Sequence, residues 1–447
     1  MKFNRKLFYY YIFATALVAV VYYGRYRREF FMLDDFFYLD NVITGGFGTV
    51  MLGCSSLRII SNTSWLPLHA IGGLDPLVYN IFSLLMHILN GVALFILIRE
   101  LARDDRLAFL AGIIFSLTAA GCDAVFWKSA NSTLLSFFFY ISSLICYVRY
   151  RREGLGLYYR LSVAVFVIAM FCKEESASLP LVLVFIESVY FQEARDYKKS
   201  LRAAAPYIAI VLLYLVLGRL VFNVLLHSKP DLDKFFEIRP LHSLFGGWAV
   251  FVIRPGQTVT PYSVASYTAA LGVVASLFWV KDRRLLLVGY GWIFLTFLPQ
   301  SLSNLGQLDE GNYAVISSLS RYLYLPSAGA SIIFAAALIR FSEVSSKKVF
   351  IGILAVFLTA YAVWNFNLVQ NRGDEWHSYE DSSRLLVYGL KEGSRALPPN
   401  ALVYIDSGDS PIRGFYLRSL FRAFYNRKDI KISPKPGPGV VTLSFSY

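Results

Sequence analysis

The chain is long, strongly apolar and basic. It has 447 residues, of which 56% are hydrophobic and only 16% are charged, whereas about a quarter of the residues in a typical soluble domain are charged. This composition excludes a disordered, collagenous or disulfide-stapled chain and argues against a soluble enzyme. The net charge of +13 is typical of basic cytoplasmic loops in a membrane protein, so we expect membrane lipids and no nucleic acid as partners.

Apolar segments of spanning length recur along most of the chain. They are 7–23, 79–98, 107–122, 134–149, 160–172, 176–191, 204–223, 264–280, 285–300, 321–340 and 349–367. Basic residues precede the first segment and recur in alternate loops, which predicts a cytoplasmic N-terminus and an outer C-terminus. We therefore predict an all-α polytopic membrane protein of about 11 transmembrane helices, with its transmembrane domain over 1–367.

Two other stretches differ from the spans. Residues 242–254 are apolar but too short to cross a bilayer, so we predict a re-entrant or interfacial segment on the outer side. Residues 368–447 combine an apolar run with a Pro/Gly-rich end, which predicts a small α/β appendage on the outer side. Its length leaves little room for a hydrophobic core of its own.

The predicted outer loops contain a set of ionisable and polar side chains close to the ends of the spans. These are Asp34, Asp35 and Asp40 in the first outer loop (24–78), Lys128 and Asn131 in the second, Lys173 and Glu174 in the third, and Arg321 with Tyr322 before the tenth span. A transporter more often places such groups near the bilayer midplane. Their position at one face instead favours chemistry on a lipid headgroup.

The adjacent acids Asp34 and Asp35 lie among aromatic residues. Two neighbouring carboxylates in different environments have separate pKa values, which suits general-base catalysis. A sugar transfer needs a base to take the acceptor proton. An ordinary turn or a helix N-terminus explains the same pair, since aspartate is favoured at both.

Two other candidate positions each have a functional and a structural interpretation, and a third, a polar pair, has a structural one. Lys173 could bind a phosphate with Glu174 beside it, or it could snorkel and pair with Glu174 or Glu175. Arg321 could clamp a lipid phosphate or anchor its helix at the interface. The second span contains a polar pair, His87 and Asn90, three residues apart. This pair predicts interhelical hydrogen bonds.

The stretch 62–117 resembles the start of the O-mannosyltransferases that carry tetratricopeptide repeats and their bacterial relatives, within the GT-C superfamily of polytopic glycosyltransferases. Four short motifs occur in the family's order: Asp34-Asp35, the turn 127–131, Lys173–Ser176 followed by Pro180, and 320–327. The chain departs from the family at Leu66, where the family has arginine, and at Ser320, where it has glutamate. No tetratricopeptide repeat follows residue 367.

The resemblance implies a membrane glycosyltransferase that moves a sugar from a polyprenyl-phosphate donor to a glycan, lipid or protein acceptor. It implies that Asp34 is the general base, with Asp35 as its neighbour or replacement, and that Arg321 and Lys173 hold the donor phosphate. Tyr322, Lys128, Asn131, Glu174 and Asp40 would line the site. No cofactor is certain, although the outer acids could hold a divalent cation. We expect a bacterial inner membrane with a periplasmic active face.

Two other classes of function fit the same sequence. A lipid-linked-sugar flippase or other transporter would need ionisable groups deep in the spans, and the sequence has few. A non-catalytic assembly protein of envelope polysaccharide synthesis would use the tail 368–447 to dock a partner. Such a protein would tolerate substitution of Asp34, Lys173 and Arg321 together.

Overall fold

The structure is a computed structural model that describes residues 4–53, 56–191, 197–222, 276–303, 320–406 and 415–444. Over these residues the chain is mostly helical, and six of the helical stretches are long and apolar enough to cross a membrane. They are 5–26, 76–102, 128–153, 198–222, 321–344 and 347–396. The protein is therefore a multi-pass membrane protein, as its composition predicts.

The helices and strands are numbered in chain order. Helices α1 to α5 are Arg5–Tyr23, Asp34–Thr44, Phe47–Leu52, Ile59–Thr63 and Trp65–Gly72. Helices α6 to α12 are Pro76–Ala102, Asp105–Leu117, Asp123–Phe126, Asn131–Glu153, Gly156–Cys172, Leu179–Ile186 and Tyr197–Phe222. Helices α13 to α16 are Arg283–Ser303, Tyr324–Val344, Lys347–Ala396 and Phe415–Tyr425. Strands β1 to β3 are Leu402–Asp406, Lys431–Ile432 and Val441–Ser444.

Most of the predicted spans overlap these helices. The segment predicted at 107–122 is helical only as far as Leu117, the end of α7, and continues as a 3₁₀ turn, Ala119–Gly121. The segment predicted at 176–191 is a 3₁₀ turn, Glu174–Ser178, followed by α11 and a π turn, Glu187–Phe191. The predicted re-entrant segment 242–254 and most of the predicted span 264–280 lie outside the described residues. The count of eleven spans and the orientation of the chain in the membrane stay predictions.

Helix α1 packs on α6 and α7 through one buried tyrosine. The ring of Tyr11 is fully buried and stacks on Phe95, with 4.8 Å between ring centroids. Gly112 of α7 makes this close approach possible, because a Cβ atom at that position would lie 2.5 Å from the hydroxyl oxygen of Tyr11. The first span is thus held to the bundle by a side chain that has no room to move.

Polar side chains inside the bundle join three spans. Nδ1 of His87 lies 2.8 Å from the hydroxyl of Tyr324, and the Asn90 amide donates to the same hydroxyl at 3.1 Å. The Asn90 amide also donates to the carbonyl of Leu134 at 3.0 Å. These bonds connect α6 with α9 and α14 and confirm the interhelical role predicted for the pair.

Helix α15 is 50 residues long and runs beyond the last predicted span. The domain boundary predicted after residue 367 falls inside this helix, so the tail continues directly from the membrane part. Beyond the boundary, Arg372 is buried, and its Nε lies 2.8 Å from Oδ1 of Asp123. Trp376 donates to the same carboxylate at 2.7 Å. This extension is therefore fixed against the second outer turn.

The C-terminal appendage (397–444) is the small α/β unit that the sequence predicts. Its three strands are parallel in the order β2-β1-β3, and α16 covers the sheet. Its buried side chains belong to the same hydrophobic cluster as those of the first outer loop; examples are Phe36, Trp65, Val403 and Leu420. The appendage thus shares its core with that loop, which offsets its small size.

We expect the substitution Gly112→Ala to destabilise the protein, because the added Cβ overlaps the buried ring of Tyr11. Overpacking of this kind costs about 1–3 kcal/mol. Thermal unfolding in detergent measures the change in Tm. The control is Gly352→Ala in α15, where a Cβ meets no atom within 4 Å. Equal Tm values for the two variants would contradict this packing.

Candidate active site

The turn 127–133, which comprises the link from α8 to α9 and the first three residues of α9, contacts the first outer loop at two points. The backbone N–H of Ser129 donates to Oδ1 of Asp35 at 2.8 Å, and the Ser129 hydroxyl bonds to the same oxygen. The amide of Asn131 donates to the hydroxyl of Ser64 at 3.1 Å. These bonds join segments 67 and 94 residues apart.

The same turn also contacts the third and fifth outer segments. The guanidinium of Arg321 lies over the ring of Trp127, 4.5 Å from its centroid. Nζ of Lys173 donates to the hydroxyl of Thr133 at 2.7 Å and lies 5.1 Å from the ring centroid of Tyr322. The loops that contain the predicted site residues therefore meet at one end of the helical bundle, around this turn.

Asp35 is the structural member of the acid pair. Its side chain is fully buried, and Oδ2 accepts a bond from the backbone N–H of Met32 at 3.0 Å. Burial raises the pKa of Asp35 to about 6, although Lys128 and the bonds from Ser129 oppose this rise. The carboxylate thus has a donor on each oxygen and no exposed surface.

Asp34 has a different environment. It is half-buried, at the first position of α2, and its Oδ1 accepts a hydrogen bond from Tyr416 at 2.8 Å. The preceding residue, Leu33, has a φ of 45°, a conformation that costs a non-glycine residue on the order of 1–3 kcal/mol. The two adjacent carboxylates therefore lie in different environments, and Asp34 is the more exposed of the two.

The structure places Lys128 deeper than the sequence indicates. Its Nζ is buried and donates to the carbonyl of Phe30 at 2.6 Å and to Glu380 of α15 at 3.1 Å. Asp40 is also buried, with Nε of Arg422 at 3.0 Å from its Oδ1 and the Thr44 hydroxyl at 2.6 Å. Both side chains join the first loop to the C-terminal part of the chain, and their predicted contact with substrate stays a prediction.

Lys173 and Glu174 each have a charged partner. Lys173 is buried and donates to Glu175 at 2.8 Å, which is the pairing that the snorkelling interpretation predicts. Glu174 accepts from Nε of Arg58 at 2.9 Å and forms a second bond to the same guanidinium. Burial alone would raise the pKa of Glu174, but Arg58 lowers it to about 2. No local pattern identifies Arg58, which is 116 residues away in sequence.

Arg321 differs from the other cations of the site. It is half-buried, and its guanidinium lies between the rings of Trp127 and Tyr322, with the second centroid at 4.7 Å. Within the described ranges, no carboxylate forms an ion pair with it, and besides the two rings its Nη2 donates to the hydroxyl of Tyr322 at 3.3 Å. A cation held by aromatic faces keeps its donors available for an anion.

Metal binding by the outer acids has no support from the described residues, in which no group of three or more His, Cys, Asp or Glu side chains could hold a metal ion. The acids Asp309 and Glu310 of the fifth outer loop lie outside those residues. The divalent cation considered above stays a prediction.

The helical bundle, with the predicted site residues gathered at one end, is similar in fold to solved membrane proteins. The chain is similar to the crystal structure of the Archaeoglobus fulgidus oligosaccharyltransferase tethered to an acceptor peptide, with a TM-score of 0.54 and 11% identity. The match covers 96% of this chain and 64% of that chain. The apo form of that enzyme aligns with a TM-score of 0.52 and 12% identity, over 97% of this chain and 65% of that one.

A third structure, the archaeal oligosaccharyltransferase with an inhibitory peptide and dolichol-phosphate, aligns with a TM-score of 0.48 at 12% identity, over 95% and 64% of the two chains. This chain thus spans less than two thirds of the length of its structural neighbours. No protein-family model matches the sequence, and no curated protein does. The first two likenesses agree with the predicted GT-C fold, while the narrower relationship to O-mannosyltransferases stays a prediction.

We expect Asp35→Asn to destabilise the protein, because an amide NH₂ would face a backbone or hydroxyl donor on one side. A buried donor without an acceptor costs about 1–3 kcal/mol. Asp34→Asn, at the half-buried neighbour, should leave the free energy of unfolding within about 0.5 kcal/mol of wild type. Thermal unfolding of both purified variants tests this. Similar losses in the two would show that Asp35 has no special structural role.

The pH dependence of stability tests the Glu174–Arg58 pair. The folded-state pKa of Glu174 lies below its ordinary value, so the pair stabilises the fold above about pH 4.5 and loses this effect as the pH falls towards 2. Arg58→Gln should therefore lower the Tm at pH 7. The difference in Tm from wild type should shrink as the pH falls from about 4.5 towards 2. The control is Arg25→Gln, which breaks an exposed ion pair with Asp374 and should have little effect at any pH.

Proposed function

We propose that the protein is a membrane glycosyltransferase that moves a sugar from a polyprenyl-phosphate donor to a glycan, lipid or protein acceptor on the outer face of the membrane. One observation carries this proposal. The half-buried carboxylate Asp34 adjoins Asp35, which bonds to Ser129, and Arg321, a cation without an ion pair among the described residues, lies over the ring of Trp127 in the same segment. Transfer from a lipid phosphate needs one group of each kind.

In the proposed reaction, Asp34 takes the proton from the acceptor hydroxyl as its oxygen attacks the anomeric carbon. The bond from the anomeric carbon to the phosphate oxygen breaks, and the phosphate leaves on its lipid. Asp35, with Ser129 and Met32 bonded to its oxygens, holds the start of α2 in place. A positioned general base contributes typically about 10²–10⁴-fold to the rate.

Arg321 would bind the donor phosphate and stabilise its charge as it leaves, which is usually the larger contribution to catalysis. Lys173, which is already paired with Glu175, would act mainly through its contact with the Tyr322 ring. Asn131, bonded to Ser64, would fix the wall of the site. Among the cations of the site that the structure describes, Arg321 is thus the one whose charge is not already paired with a carboxylate.

The fold supports a transferase because the structural neighbour is an oligosaccharyltransferase that was crystallised with a tethered acceptor peptide. The peptide is consistent with a protein as one of the three acceptor classes. The periplasmic face of a bacterial inner membrane is part of the same proposal.

A pair of variants tests the proposal. Purified protein is incubated with a panel of radiolabelled polyprenyl-phosphate sugars and an envelope extract as acceptor. Asp34→Asn should reduce transfer at least about 10²-fold and keep donor binding, since it removes only the base. Arg321→Ala should lose donor binding. The matched controls are Asp75→Asn, because Asn is an equally good N-cap for α6, and Arg25→Ala at an exposed ion pair.

Different failures have different meanings. Full activity in both Asp34→Asn and Asp35→Asn would show that the acid pair is not catalytic. Label that stays on every donor, with no donor binding by wild type, would contradict a transferase and favour the assembly or transport functions. Binding of one donor without turnover would point to a missing acceptor, which a second extract supplies.

A further inference from the structure

The C-terminal appendage reaches the candidate base directly. Helix α16 begins 381 residues after Asp34, and the hydroxyl of Tyr416 donates to Oδ1 of Asp34 at 2.8 Å. Tyr416 is half-buried at the start of this helix. The sequence places this tyrosine in the tail, where no motif connects it with the acid pair.

The position of the Tyr416 hydroxyl is fixed by the helix that carries it. Tyr416, Leu420 and Phe424 follow one another at intervals of four residues and so lie on one face of α16. Leu420 is fully buried, and the Phe424 ring packs on that of Phe36 in α2, with 5.8 Å between centroids. The contact with Asp34 is thus part of a packed helix–helix interface, not of a free side chain.

A second polar contact fixes the register of the same interface. Nη2 of Arg422 donates to the hydroxyl of Thr44 at 2.9 Å, and its Nε lies 3.0 Å from Oδ1 of Asp40. Tyr416 therefore bonds to the start of α2, whereas Arg422 bonds to its end. With both ends of α2 held, α16 cannot slide along it without breaking one of the two contacts.

The ionisation state of the phenol suits a donor. Burial raises the pKa of Tyr416, and the adjacent Asp34 raises it further. The hydroxyl therefore stays protonated and donates to the carboxylate. A fixed donor on one carboxylate oxygen orients the group and lowers the basicity of that oxygen, so the other oxygen is the better proton acceptor.

We propose that Tyr416 is a positioning residue of the candidate active site and that the C-terminal appendage completes this site. The inference rests on the proposed function. Tyr416 binds Oδ1 of Asp34, so Oδ2 takes the acceptor proton while the acceptor oxygen bonds to the anomeric carbon. The bond from that carbon to the phosphate oxygen breaks, the electron pair leaves with the lipid phosphate, and Tyr416 keeps its own proton throughout.

The test is Tyr416→Phe in the full-length protein, because this change keeps the ring and removes only the hydroxyl. We expect kcat to fall about 10- to 100-fold with an unchanged KM for the donor, since the base is present but badly oriented. The assay uses the polyprenyl-phosphate sugar that wild type consumes fastest. The matched control is Tyr425→Phe on the same helix, whose hydroxyl donates to the carbonyl of Val387, and it should keep the wild-type kcat.

Coupling to Asp34 separates positioning from a purely structural role. In the Asp34→Asn background, Tyr416→Phe should reduce kcat no further, because the oxygen that it orients has already been replaced. If Tyr416→Phe keeps the wild-type kcat while Asp34→Asn is inactive, the role of Tyr416 is overturned and the proposed function is not. A raised donor KM with an unchanged kcat would overturn it too. Absence of both transfer and donor binding by wild type, for every donor, would overturn the proposed function and this role with it.

Discussion

The buried carboxylate of Asp35 is the interaction on which the site depends. A charge without exposed surface is costly unless donors surround it, and here the N–H and hydroxyl of Ser129 and the N–H of Met32 supply them. These bonds hold the start of α2 against the second outer turn. With that start fixed and Leu33 in a positive φ, the side chain of Asp34 has a defined place beside Tyr416.

Long-range ion pairs at the end of the bundle where the predicted outer loops meet extend this arrangement. Lys128 pairs with Glu380, Asp123 with Arg372, and Asp40 with Arg422. Each pair joins an early loop to α15 or to the appendage. Breaking such a buried pair on one side leaves an uncompensated charge and costs about 3–5 kcal/mol. The C-terminal part of the chain is therefore a structural component of the site's framework and not an independent module.

Much of the helical framework follows from the sequence because hydropathy and length are local properties. The spans near α1, α6 and α9 and the bonds of His87 and Asn90 are readable in this way. The convergence of the outer loops also follows, since alternate loops share one membrane face. The partners of the polar side chains do not follow from the sequence. Arg58 with Glu174 and Tyr416 with Asp34 are separated by 116 and 382 residues, so only tertiary packing brings them together.

Donor turnover by the Asp34→Asn protein is the most direct test of the account. Purified wild type and the variant, matched for Tm and for donor binding, are compared with one radiolabelled polyprenyl-phosphate sugar and the same acceptor extract. The account predicts that wild type transfers the label and that the variant binds the donor but transfers at least about 10²-fold less. Equal transfer by the two proteins would contradict the assignment of Asp34 as the base.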